Sequence, residues 1–185
     1  MKPEPLCCLP SQTVGPFFHI AFANDPASGR LAGSETASER ISVRVRLLDG
    51  DGVPVEDGLI ELWQADAEGN YPRAPGDAFR GFGQLPTGAE GACIFETIYP
   101  GRVSCGDAFQ APHISVSVFA RGLLGRLCTR IYFEGDPSLA EDPILRLVPE
   151  ERRRTLLAQR DPVHSGRWNF DIRLQGEQET VFFDV

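Results

Sequence analysis

The run His113-Ile114-Ser115-Val116-Ser117-Val118-Phe119 alternates with period two from end to end. Such a run is a strand, because successive side chains leave opposite faces of an extended chain. Ile114, Val116 and Val118 then share an apolar face directed at a core, and His113, Ser115, Ser117 and Phe119 share the other. Upstream, residues 93 to 98 are apolar, β-branched or aromatic at most positions; Pro100-Gly101 ends them, and a loop with Cys105, Gly106 and Asp107 follows. The remaining chain is arranged around this strand, long turn and strand between 93 and 120. The polar face of 113–119 opens with a histidine two residues from a serine, just after a proline. It marks a site, or the place of a former one.

The same grammar recurs along the chain. Ile41 to Leu47 alternates, with Ile41, Val43, Val45 and Leu47 inward; Asp49-Gly50-Asp51-Gly52 makes a turn and Leu59 to Gln64 a second strand. Asp66 to Tyr71 is turn chemistry, with Gly and Asn where positive φ is needed. Residues 72 to 91, rich in turn formers, read as loop. Further strands are expected over 129–133, 167–174 and 180–183. One helix is expected over 149–159, opened by Pro149-Glu150-Glu151 with Leu156-Leu157 packing down. Seven short strands separated by turns, with one short helix, describe an all-β sandwich. At 185 residues the chain suits one core. It divides into an irregular N-terminal arm over 1–40, proline- and glycine-rich, and a sandwich over 41–185.

Charge narrows the function classes. The net charge of −8 argues against nucleic acid as a partner, because Lys and Arg clusters drive phosphate-backbone binding. The opening MKPEPLCCLP has no apolar signal region and no membrane-length apolar run follows, so a soluble cytoplasmic protein is expected. Five cysteines without a C-x-x-C pair fit free thiols better than disulfides or a zinc site. The histidines are His19, His113 and His164, and no nucleophile elbow, P-loop or dinucleotide fingerprint is present. Site character gathers at Tyr71, His113 and the turns around Gly101 and Gly15. Each also has a structural explanation: a strand histidine held by hydrogen bonds, a packed turn tyrosine, and phenylalanines after Gly15-Pro16 that plug a core edge.

Several ordered strings, TVGPFF, IELWQADAEGNY, FRGFGQLPTG, FETIYPG, APHISVSVFARGLL and TRIYFEGDP, together resemble the intradiol ring-cleaving dioxygenases. Among these the likeness is to the α chains of the members that act on 3,4-dihydroxybenzoate, and it runs from about Gln12 to Phe183. The resemblance implies a β-sandwich of transthyretin-like topology and an enzyme of two homologous chains, α and β. It implies insertion of dioxygen between the two hydroxyl-bearing carbons, giving 3-carboxy-cis,cis-muconate. It also implies a non-haem Fe(III) held by two tyrosinates and two imidazoles, a hard N/O donor set that suits the ferric state. The positions that match those ligands are Tyr71, Val103, His113 and Ser115. Val103 brings no donor atom, Ser115 brings a hydroxyl in place of imidazole, and Gln110 stands where the catalytic chain has an arginine.

The resemblance therefore implies a chain with no catalytic residue and no metal of its own, paired with a homologous β subunit that carries Fe(III). Its contribution to the substrate pocket is expected from Thr13, Gly15, Pro16 and Arg130. Gly15 permits close backbone approach, and Arg130 suits the substrate carboxylate through a charge-assisted hydrogen bond. Arg130 also alternates with Thr129 and Ile131, which is compatible with a solvent-facing position. A higher hetero-oligomer is expected. Two other readings stay open: a self-sufficient intradiol metalloenzyme recruiting His19, His164 or Asp107, and a β-sandwich interaction module without catalysis.

Overall fold

The computed structural model describes residues 25–33, 38–72 and 79–184. Ten strands form. They are β1 Arg40–Leu48, β2 Leu59–Gln64, β3 Phe82–Pro86, β4 Ala92–Ile98, β5 Val103–Cys105, β6 Ala108–Gln110, β7 His113–Phe119, β8 Leu127–Phe133, β9 Leu157–Arg160 and β10 Arg167–Arg173. Eight of them make one continuous sheet in the order β3-β2-β7-β8-β9-β10-β1-β4. β9 is the hinge of that order, parallel to β8 and antiparallel to β10. The sheet folds across it into two layers, and its end strands β3 and β4 come into contact, so the sandwich is nearly closed. Closure of this kind leaves little unpaired edge.

The expected alternation is what the layers bury. In β1, Ile41, Val43, Val45 and Leu47 are buried while Ser42, Arg44 and Arg46 are only partly so. In β10, Trp168, Phe170 and Ile172 turn inward. From the facing layer come Ile60, Leu62, Ile114, Val116, Val118, Ile131 and Phe133, and all join one cluster with Phe95 of β4. Trp168 stands edge-on to Phe133, with ring centroids 5.0 Å apart and planes at 77°, an arrangement that aromatic quadrupoles favour. The described end of the N-terminal arm is part of this core. Asp25 caps a 3₁₀ turn, Pro26–Gly29, and Leu31 is fully buried.

Four expectations are corrected. Residues 72–91 contain a strand: β3 pairs antiparallel with β2, and Pro86 lies opposite Leu59 at its end. A sheet edge tolerates the missing N–H, which is why the proline did not prevent it. The loop after Gly101 contains the β5–β6 hairpin, turned by Gly106 at φ +62. The helix is short: α1, Glu150–Arg153, runs into a 3₁₀ turn, Arg154–Leu156, and then β9 begins. Pairing of Leu157 and Ala158 with Tyr132 and Phe133 overrides helical continuation. Residues 180–183 form no strand but one bridge, Cys128 with Phe183, held beside it by Thr129 Oγ1 donating to Val181 O at 2.7 Å.

Candidate active-site pocket

The polar face of 113–119 lies on the outer side of the β2–β7–β8 layer. Register places Trp63, Ser115 and Arg130 in one cross-strand row, and His113 opposite Tyr132 in the next. Tyr71 reaches the same place from the loop after β2. Its ring stacks on Trp63 at 5.5 Å and 11°. The loop is built by Asp66, whose Oδ1 accepts from Glu68 N at 3.0 Å and Asn70 N at 2.8 Å, an Asx turn. Gly69 has φ +83 and no room for a Cβ, which would fall 2.0 Å from Arg102 O. Glycine is therefore required for the Tyr71 turn to lie against the Pro100–Gly101 corner.

His113 is 2 % exposed, and its Nδ1 lies 2.8 Å from Ala111 O. A carbonyl only accepts, so Nδ1 carries the proton and donates it, leaving Nε2 as the lone-pair nitrogen. Burial, then the positive charge of Arg130, push its pKa below the usual imidazole value. Tyr132 is wholly buried and its phenol is pushed up to about 12, chiefly by burial. Its hydroxyl donates to Asp142 Oδ1 at 3.2 Å. Asp142 is fully buried and also accepts from the backbone N–H groups of Ala111, Ile144 and Leu145 at 2.7, 2.9 and 2.6 Å. Burial also raises the Tyr71 phenol. Both tyrosines are thus held as neutral phenols.

Arg130 is half-buried at the centre of the group. Its Nη1 donates to Gln110 Oε1 at 2.6 Å and lies 3.4 Å from the Tyr132 hydroxyl. Its guanidinium also lies 5.9 Å from the Phe183 ring centroid. Among the described residues no carboxylate stands within ion-pair distance of it.

Tyr71, His113, Ser115 and Arg130 come to one face of the β2–β7–β8 layer. Thr13, Gly15 and Pro16 lie outside the described residues. Val103 lies on β5 directly opposite Gln110, so the hairpin that carries Gln110 is part of the same pocket. His164 is remote from it, 3.2 Å from Asp161 on the β9–β10 connection. Tyr132, Asp142 and Trp63 were not singled out from the sequence. Tyr132 is the second residue after Arg130 on a strand, and that spacing is the one signal that places both on one face. A cleft of about 590 Å³ opens elsewhere, lined by Arg44, Arg46, Arg167, Arg173 and Asp171 of the other layer together with His164, and none of Tyr71, His113, Ser115 or Arg130 borders it.

The donor set does not fit a ferric ion. Of the four matching positions, only Tyr71 and His113 carry a suitable donor; Val103 has none and Ser115 offers only a hydroxyl. Among the described residues no three His, Cys, Asp or Glu side chains converge on one point. What the pocket offers chemically is a fixed cation among aromatic rings, with the Tyr132 hydroxyl anchored on the buried Asp142 carboxylate beneath it.

Residues 14–176 match the Dioxygenase family. The chain is 40% identical over 194 residues to the protocatechuate 3,4-dioxygenase alpha chain of Burkholderia cepacia, covering 95% of this chain and 96% of that one. It is 37% identical over 185 residues to the beta chain of the same organism's enzyme, covering 92% and 77%. Among solved structures, the dioxygenase domain of a carbohydrate-binding fusion protein from Streptomyces sp. SirexAA-E superposes with a TM-score of 0.64 at 28% identity, covering 90% of this chain and 97% of that one.

Proposed function

The chain belongs to the intradiol dioxygenase family, and from that premise we propose that it is the α chain of a protocatechuate 3,4-dioxygenase. Its partner is then a homologous β chain, and the pair cleaves 3,4-dihydroxybenzoate with O₂ to 3-carboxy-cis,cis-muconate in aromatic catabolism. One observation carries this: 40% identity to an α chain along almost the whole of both proteins, joined to a pocket that keeps two of the four matching donors. Iron is carried by the β partner, and the complex is a higher hetero-oligomer. Cys93, Cys105 and Cys128 are free thiols, one of them exposed, which suits the reducing cytoplasm. Among the described residues no helix is long and apolar enough to cross a membrane.

Within the complex, this chain supplies binding and orientation. The N-terminal arm, residues 1–40, is the part we assign to the α–β contact, with Thr13, Gly15 and Pro16 lining the substrate pocket. Arg130 joins them as the partner of the substrate carboxylate; its guanidinium is bonded to neutral groups, so its charge is open to an anion. The test is separation and remixing. The purified chain alone is expected to be colourless and inactive, and mixing it with its β chain to restore oxygen uptake on 3,4-dihydroxybenzoate. Iron, colour and turnover in the isolated chain would instead establish a self-sufficient enzyme. In the complex, Arg130→Gln is expected to raise KM for 3,4-dihydroxybenzoate at least ~10-fold, the scale of one lost charged hydrogen bond.

A further inference from the structure

The outer face of the β9–β10–β1 layer concentrates positive charge on a chain whose net charge is −8. The cleft of about 590 Å³ there is lined by five arginines, Arg44, Arg46, Arg154, Arg167 and Arg173, against two carboxylates, Asp161 and Asp171. Strand geometry gathers them. Arg44 and Arg46 leave β1 on the side away from buried Val43 and Val45, and Arg167 and Arg173 leave β10 on the side away from buried Trp168 and Ile172. The two strands pair in parallel, with Arg44 beside Asn169 and Arg46 beside Asp171. Arg154 comes from the 3₁₀ turn that precedes β9.

Both carboxylates are already engaged. Asp171 accepts from Arg46 Nε at 3.0 Å and from Arg46 Nη2. Asp161 accepts from Val163 N at 2.8 Å, His164 N at 2.9 Å and Asn169 Nδ2 at 3.0 Å, and these bonds hold its pKa well below the usual carboxylate value. Arg44 meets Glu90 at 3.2 Å, but that side chain is 82% exposed, where an ion pair contributes little. Among the described residues, no carboxylate stands within ion-pair distance of Arg154, Arg167 or Arg173. Arg167 carries an independent mark: its Nε is buried and donates to nothing. A buried guanidinium N–H without an acceptor costs free energy that an acceptor recovers.

We propose that this cleft binds a small polyanion, a molecule carrying two or three carboxylate or phosphate groups. Three arginines without acidic partners supply the charge, and their planar forks match the oxygens of either group. The volume lies within the range of small-molecule sites. Titration calorimetry on the full-length chain tests this, with citrate and inorganic pyrophosphate as probes and acetate as the singly charged control, all at one ionic strength so that general screening is constant. One equivalent of citrate or pyrophosphate is expected to bind, and the tighter of the two assigns the ligand to carboxylates or to phosphates. Acetate should bind at least ~100-fold more weakly, having one group where the probes have several. Arg167→Gln and Arg154→Gln are each expected to weaken binding at least ~10-fold, the scale of one lost charged hydrogen bond. Near-ultraviolet circular dichroism checks that each variant is folded. Arg154 is exposed, so Arg154→Gln decides alone should Arg167→Gln fail to fold. The proposal is overturned if neither probe binds at up to ~10 mM, an affinity below that of any specific site. It is equally overturned if acetate binds as tightly as the probes, or if a folded variant keeps the full affinity.

Discussion

Among single residues, Asp142 has the largest structural task. One buried carboxylate accepts from three backbone N–H groups and the Tyr132 hydroxyl, and so fixes the floor of the pocket. Asp142→Ala strands those donors out of water, at about 1–3 kcal/mol for each buried group left without a partner. The expected loss is at least about 3 kcal/mol, read from urea denaturation. Glu61 gives a test of opposite sign. It lies on β2 between Gln84 and Ser117, and burial raises its pKa above the usual carboxylate value, with Arg126 opposing. A raised carboxylate favours the fold while protonated, so its contribution is present below the unfolded pKa, near 4.5, and is lost as pH rises through the folded value. Glu61→Gln is therefore expected to stabilise the protein at pH 7 by a few tenths of a kcal/mol, after allowance for solvent screening, and to have no effect at pH 4. Parallel melts at the two pH values check it.

At the scale of elements, the pocket depends on loops that only glycine can bring together. Gly69 stands at positive φ beside Arg102 O, and Gly101 packs equally closely on Ala67 O, where a Cβ would fall at 2.3 Å. Gly69→Ala combines left-handed strain with a backbone clash, so a loss of about 2 kcal/mol or more is expected. The turn would lift Tyr71 away from Trp63, and their stacking signal in near-ultraviolet circular dichroism would disappear. An unchanged spectrum would show that the turn does not position the tyrosine. The turn itself was legible from Asp66, Gly69 and Asn70. Its close approach to Gly101 was not, because the two glycines are 32 positions apart.

For the whole molecule, β9 is decisive. It joins two layers that share one core, so they are expected to unfold together. Trp168 lies at their junction, edge-on to Phe133 and beneath the Arg160 guanidinium at 4.5 Å. Trp168→Ala should cost about 3–5 kcal/mol, through lost burial and the cavity left behind. Its melt is expected at lower temperature yet still as one transition, with far-ultraviolet dichroism and the fluorescence of Trp63 changing together. Two separated transitions would show that the layers are independent.

Alternation, turn chemistry and a shared apolar face are properties of neighbouring residues, and the sequence by itself determined them. β1, β2, β4, β7, β8 and β10 were each recognisable as strands, as was the all-β class. The tertiary structure decided what depends on partners. Leu157 and Ala158 became strand because Tyr132 and Phe133 were there to pair with, and 82–86 because β2 offered an edge. The same holds in the pocket. Tyr71, His113 and Arg130 could be named from strings, but Arg130 is the central cation only because register sets it opposite Ser115 and folding brings Gln110 to its end. Hydrogen bonds between distant segments are fixed by which strands meet, and local periodicity carries no record of that.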